Sequence, residues 1–94
     1  MRYEKKELTK TMQVLLFAEE YEQISLCDVE GFFNYEIPRN YASQLLSRNY
    51  KKNLLKRHSK IFQEHKRRGR IYIYTLSREG EKRCNWLHSL GFYL

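Results

Sequence analysis

Two cysteines, one proline and four glycines among 94 residues exclude several kinds of protein. Cys27 and Cys84 are too few for a secreted disulfide scaffold, which points to a reducing interior. No linker, low-complexity tract or internal repeat interrupts the chain, so residues 1–94 read as one small domain. Long apolar runs are missing too. The early run "MQVLLFA" is followed by "EEYE" and has no small-residue cleavage site, so neither a signal peptide nor a membrane span is expected. The location expected is cytoplasmic.

Motifs of catalysis are equally scarce. There is no P-loop, dinucleotide-binding glycine pattern, HExxH or Gly-x-Ser-x-Gly. A metal-dependent nuclease needs carboxylates beside its cationic groove, whereas the acids of "EEYE" fall in the anionic part of the chain. Cys84 and His88 have the i, i+4 spacing of half a metal site, but no second pair matches it. Cys84 reads as a small buried hydrophobe and the histidines as surface residues. The reading is of a non-enzyme that requires no metal or other cofactor.

What is present is charge, unevenly placed. Residues 1–38 carry four Lys/Arg against eight Asp/Glu, whereas residues 39–83 carry fourteen against three. Residues 84–94 carry no Lys, Arg, Asp or Glu. A net +11 packed into 45 residues is the footprint expected of a polyanion binder rather than of a merely soluble surface.

Periodicity supplies the elements. Residues 4–21 read as a helix with Leu8, Met12, Leu15, Leu16 and Glu19 on one side, widened by Val14, Phe17, Ala18 and Tyr21. "ISLCDVEGFF" reads as a second helix, capped by Ser25 with Asp28 three residues on, and with Leu26, Val29 and Phe33 facing inward. "NYEI" is a turn. Pro38 suits the first position of a third helix, and Asn53 its left-handed end. "LLKRHSKIF" and "RIYIYTL" read as the strands of a hairpin with the basic tip "QEHKRRG". Ser77 then caps a last helix over residues 78–91. The expected fold is mainly α with a β-hairpin, in the order helix-helix-helix-hairpin-helix.

The third helix has two unlike faces. At about 100° per residue, Pro38, Tyr41, Ala42, Leu45 and Leu46 form one face, while Asn40, Ser43, Gln44, Ser47 and Lys51 lie opposite, flanked by Arg39 and Arg48. A solvated face would more often carry Glu and Lys, because Asn and Ser form helices less well. No acid occurs from Arg39 to Gln63, as suits a surface pressed against phosphates. Asn and Gln match the edge of adenine, and Arg that of guanine, in a major groove that admits one helix. Four cations at the hairpin tip, Lys66, Arg67, Arg68 and Arg70, suit phosphate contact.

From "ISLCDVEGFFNYEIPRNYASQLLSRNYKKNLLKR" through the basic-tipped hairpin to "YTLSREGEKRCNWL", the chain resembles the winged helix-turn-helix DNA-binding domain. It is similar to the PadR/MarR-like regulators and to the small versions carried by archaeal plasmids and viruses. The resemblance covers residues 8–90, and Tyr-Thr-Leu-Ser-x-x-Gly at 74–80 is its most specific piece. Asn53 departs from the Gly usual in the family, and Asn49 from a large aliphatic. The resemblance implies that the third helix enters the major groove while the hairpin, the wing, lies on the backbone or in the minor groove. Arg39, Asn40, Ser43, Gln44 and Ser47 would then face bases. Arg48, Lys51, Lys66, Arg67, Arg68 and Arg70 would face phosphates or the adjacent minor groove.

Helix one has apolar residues on more than one face, and the tail "WLHSLGFYL" adds more. Leu8, Met12, Leu16, Trp86, Leu87, Leu90 and Phe92 are therefore expected in a homodimer interface built from helices 4–21 and 78–91. Such a dimer would place two recognition helices about 34–36 Å apart on pseudo-palindromic duplex DNA. Sequence-specific, nucleoid-associated DNA binding by a transcriptional repressor is the leading expectation. Its alternatives are a plasmid-partition protein that marks a centromere-like site and spreads from it, an architectural coating protein, and a winged-helix protein–protein module. The eight tyrosines could stack on bases, but most stand at apolar positions that suit packing.

Overall fold

The computed structural model describes residues 8–64 and 67–94, with backbone alone for 62–64 and 67–68. The elements are α1 (Lys10–Tyr21), β1 (Gln23–Ile24), α2 (Leu26–Phe32), α3 (Arg39–Lys51), β2 (Leu55–Glu64), β3 (Arg67–Leu76) and α4 (Arg78–Ser89). The fold is the expected one, mainly α with a β-hairpin wing, to which the short strand β1 is added.

Local chemistry sets the boundaries. α1 begins later than residue 4: Leu8 and Thr9 are not helical, and Thr9 Oγ1 accepts from the Met12 N–H at 3.3 Å as the N-cap. Residues 4–7 of the expected helix lie outside the described residues. At α2 the capping box forms as expected. Asp28 Oδ2 accepts from the Ser25 N–H at 2.8 Å, and Ser25 Oγ accepts from the Asp28 N–H at 3.4 Å. Asn34 and Tyr35 turn the chain in the left-handed region. Pro38 falls one place earlier than expected, as the N-cap of α3 rather than its first residue. Beyond α3, Asn53 has a φ of 62°, the conformation for which Asn is suited.

Asn49, where the family usually carries an aliphatic, does not break α3. It is buried, and its Nδ2 donates to the Thr11 carbonyl at 3.0 Å and to the Leu45 carbonyl at 3.2 Å, tying α3 to the start of α1. Its Oδ1 has no partner among the described residues.

The core forms around α1, in which Val14, Leu15, Leu16, Phe17 and Ala18 are all buried. They pack with Ile24, Val29, Ala42, Leu45, Leu46, Leu55, Tyr74, Cys84 and Leu87. Five consecutive buried residues mean that other elements surround the middle of this helix, while Lys10, Glu20 and Tyr21 at its ends stay exposed. Apart from Tyr21, which is 61% exposed, the wide apolar stripe of α1 that suggests a dimer surface packs into the chain's own core. Leu16 is 1% and Leu87 0% exposed, so neither has surface to offer a second copy. Leu8, Met12 and Phe92 are partly buried against the same core, whereas Trp86 and Leu90 remain outside at 49% and 54%.

The junction of α3, wing and α4 explains Tyr-Thr-Leu-Ser-x-x-Gly. Ser77 caps α4 by accepting from the Gly80 N–H at 3.0 Å, and its hydroxyl donates to the Asn53 carbonyl. The Ser77 N–H donates to the Leu54 carbonyl at 3.1 Å. A Cβ on Gly80 would collide with that same carbonyl oxygen and lie 2.7 Å from Leu76 Cδ1. Glycine is required here for close approach rather than for an unusual φ.

The sheet has the order β1-β3-β2, antiparallel throughout. β2 and β3 pair from Leu55↔Leu76 to Glu64↔Arg67. The strands therefore run into the segment 63–69 expected as a loop, and Arg67 and Arg68 are strand residues. One face of the ribbon carries Arg57 opposite Tyr74, Ser59 opposite Tyr72 and Ile61 opposite Arg70; the other carries Lys56, His58 and Lys60. The radius of gyration, 14.7 Å, exceeds the roughly 12 Å of a compact chain of this length because the ribbon projects.

Candidate nucleic-acid interface

α3 is aimed by its buried side. Ala42, Leu45, Leu46 and Asn49 lock into the core, which turns Asn40, Ser43, Gln44 and Lys51 out to solvent with Ser47 half-buried among them. Arg48 reaches over the Tyr41 ring, 5.9 Å from its centroid, at the flank of this face. Arg48 and Lys51 also occupy the last turn, where positive charge suits the helix dipole whether or not a partner is bound.

Two of the expected base readers are engaged within the chain. Arg39 Nη1 lies 2.8 Å from Glu30 Oε1 of α2, although the arginine side chain stays 64% exposed. Asn40 Oδ1 accepts from the Tyr41 N–H at 3.0 Å, which occupies one of its two lone pairs. Ser43, Gln44 and Ser47 make no side-chain hydrogen bond to another described residue. Sequence spacing found this face but missed Glu30, which reaches it from the neighbouring helix.

The wing joins α3 along a cleft of about 220 Å³. Arg39, Ser43 and Leu46 line its α3 side, and Arg70, Tyr72 and Tyr74 its wing side. Arg70 is the expected wing cation that the structure brings to α3. Lys66 lies outside the described residues, and Arg67 and Arg68 are described only as backbone in β3.

At the α3 C-terminal end stands a group that the sequence reading did not select. The Arg57 guanidinium lies 4.2 Å from the Tyr50 ring centroid and 4.5 Å from that of Tyr72. Burial works against its charge, but a hydrogen bond to Tyr74 and the phenol groups of Tyr50, Tyr74 and Tyr72 outweigh it and raise the Arg57 pKa. The signal lay in the register, since Arg57 meets the Tyr72 and Tyr74 side of β3 only when paired opposite Tyr74.

Cys84 and His88 are each engaged by other groups of the chain. Burial, with Glu19 and Glu81 nearby, pushes the Cys84 thiol up to about 12, and its Sγ donates to the Leu15 carbonyl at 3.8 Å. His88 is half-buried rather than on the surface. Its Nδ1 lies 2.9 Å from the Phe92 carbonyl and its Nε2 2.7 Å from Glu19 Oε1, two acceptors that raise its pKa above 6.5. No group of three or more His, Cys, Asp or Glu able to hold a metal occurs among the described residues. No helix among them is long and apolar enough to cross a membrane.

No family model and no curated protein sequence matches the chain. Solved structures do match. Stf76 from the Sulfolobus islandicus plasmid-virus pSSVx superposes with a TM-score of 0.59 at 18% identity, over 83% of this chain and 95% of its own. BpsR of Bordetella bronchiseptica, whose DNA binding is regulated by 6-hydroxynicotinic acid, superposes with a TM-score of 0.67 at 17% identity. That match covers 93% of this chain and 57% of BpsR, so the chain spans a little over half of the BpsR length. At these identities the likeness concerns the fold, which is the winged helix-turn-helix.

Proposed function

We propose that the chain is a sequence-specific duplex-DNA-binding homodimer that represses transcription by occupying an operator. The observation that carries this reading is the exposed face of α3, which has no acid of its own, with Arg70 of the wing across the cleft from it. In this reading Arg39, Asn40, Ser43, Gln44 and Ser47 meet base edges in the major groove. Arg48, Lys51, Lys66, Arg67, Arg68 and Arg70 meet phosphates or the adjacent minor groove. DNA binding by BpsR, which shares the fold, supports DNA as the partner class. The placement expected is cytoplasmic, on the nucleoid.

For dimerisation, Trp86 and Leu90 are the expected interface residues that stay exposed, one turn apart at the end of α4. Apolar side chains grouped in this way suit a two-fold contact. Sedimentation at micromolar concentration should give twice the chain mass; one chain mass with and without DNA removes the dimer. Selection from random duplexes tests the rest. A strong palindrome supports an operator, or the centromere-like site of a partition protein, and the absence of any consensus turns the reading to architectural coating.

A further inference from the structure

We infer that Arg57, held between Tyr50 and Tyr72, grips the phosphodiester strand that passes between α3 and the wing. The inference rests on the duplex-DNA reading and adds to it a residue outside the expected site. In B-DNA a major groove and the next minor groove are separated by one sugar–phosphate strand. With α3 in the first and the wing at the second, that strand has to run along the cleft between them. Arg39 and Ser43 border the cleft on one side, and Arg70 and Tyr72 on the other. The short side chains of Ser25, Cys27 and Ser43 leave it open.

Arg57 belongs to this cleft through Tyr72, which lines it, and through Tyr50 in the last full turn of α3. Arg39, Ser43, Leu46 and Tyr50 follow one another at helical spacing, so Tyr50 continues the wing-facing edge of α3. The two phenol rings lie against the guanidinium, and the hydrogen bond to Tyr74 uses only part of its five-donor fork, so donors remain for a partner. A planar fork fixed in advance loses little rotamer freedom on binding and matches two phosphate oxygens at once. Lysine supplies the same charge without the fork or the stack. The duller role, fastening the wing root to α3, needs the rings, the cation and the Tyr74 hydrogen bond but none of the remaining donors.

The test measures dissociation constants on random-sequence and selected duplexes, with thermal midpoints for each variant. Arg57→Lys and Arg57→Ala should each weaken both duplexes by about tenfold or more, the loss of one charge-assisted bidentate contact. Tyr72→Phe should bind within about twofold of wild type while Tyr72→Leu loses several-fold, because the ring, not the hydroxyl, holds the guanidinium. Single methylphosphonate replacements along the selected duplex should reveal one position in each half-site that weakens wild type but not Arg57→Ala. If Arg57→Ala binds within twofold of wild type, the clamp is overturned, whatever its thermal midpoint. Gln44→Ala separates the two failures. If it selectively loses the chosen duplex while Arg57→Ala does not weaken either, the DNA reading stands and this inference falls. A wild-type chain that binds no duplex removes both.

Discussion

α3 and the β2–β3 ribbon both present cations, yet they are positioned by different physics. α3 buries Ala42, Leu45, Leu46 and Asn49, and this buried side dictates where Ser43 and Gln44 point. The described side chains of the two strands bury Leu55 and Tyr74 alone, both at the root. Beyond the root, strand register decides which side chains face α3. A slip of one residue would turn every wing side chain to the other face, whereas rotating α3 would expose leucines. The helix is therefore suited to contacts that must be exact in direction, and the ribbon to contacts with phosphates, which repeat in every sequence.

The largest expected effect involves both regions. If α3 and the wing neutralise phosphates together across a dimer, affinity should fall on the order of a thousandfold or more between about 50 and 200 mM salt. Fluorescence anisotropy with a random duplex measures it. Affinity nearly independent of salt would return the cationic sector to a solubility role.

Next comes the point at which the two regions share a support. Gly80 packs against the Leu54 carbonyl, in the link from α3 to β2. Gly80→Ala should cost about 3 kcal/mol, the upper range for forcing an added methyl into a packed site. For a chain of this size that is a drop of roughly 12–24 °C in thermal midpoint. A loss below about 1 kcal/mol would mean that the junction adjusts and that Gly80 is not what fixes the wing root.

The same contrast decides what could be read from the chain beforehand. Helices two, three and four and the caps Ser25 and Ser77 were legible, because capping and apolar spacing are local. The start of α1 was not, since Leu8 has helical spacing but lies outside a helix capped by Thr9. The apolar surplus of α1 was misjudged because spacing does not tell how many elements will surround a helix. In the wing, a loop over 63–69 sets Phe62 opposite Arg70, whereas the observed partner of Arg70 is Ile61. That one-residue difference kept the side of β3 met by Arg57 out of view. The Arg39–Glu30 ion pair joins two elements, and spacing within either one does not reveal it.

Substitutions at the two regions should separate specificity from affinity. Gln44→Ala should cost roughly 1–3 kcal/mol on the selected duplex and little on random DNA, because a base edge loses its partner. Arg68→Ala should weaken both duplexes alike and flatten the salt slope by about one unit. Titrating both variants on both duplexes at two salt concentrations gives the four comparisons needed. Equal weakening of both duplexes by Gln44→Ala would show that α3 is not the reader.

The smallest expected effect lies in neither region and serves as their control. His88 joins the tail to α1: its Nδ1 faces the Phe92 carbonyl, its Nε2 faces Glu19, and its ring stacks on Tyr93 with centroids 4.5 Å apart. The Phe92 carbonyl first, and then Glu19, favour the charged ring and raise its pKa in the folded state above 6.5. A raised folded value means that the imidazolium stabilises the fold fully below pH 6.5 and ceases to do so as pH rises through the folded value. The groups are partly exposed, so the scale is that of a screened ion pair, about 0.5 kcal/mol. Urea unfolding between about pH 5.5 and 8.5 should show wild type losing this increment and His88→Gln lacking it, a difference that also removes the common contribution of other titrating groups. His88 meets Glu19, Phe92 and Tyr93, none of them an expected DNA contact, so DNA affinity at fixed pH should be the same for both proteins. Parallel stability profiles would mean that the clasp carries no charge, and a change in affinity would mean that the tail is coupled to the DNA face.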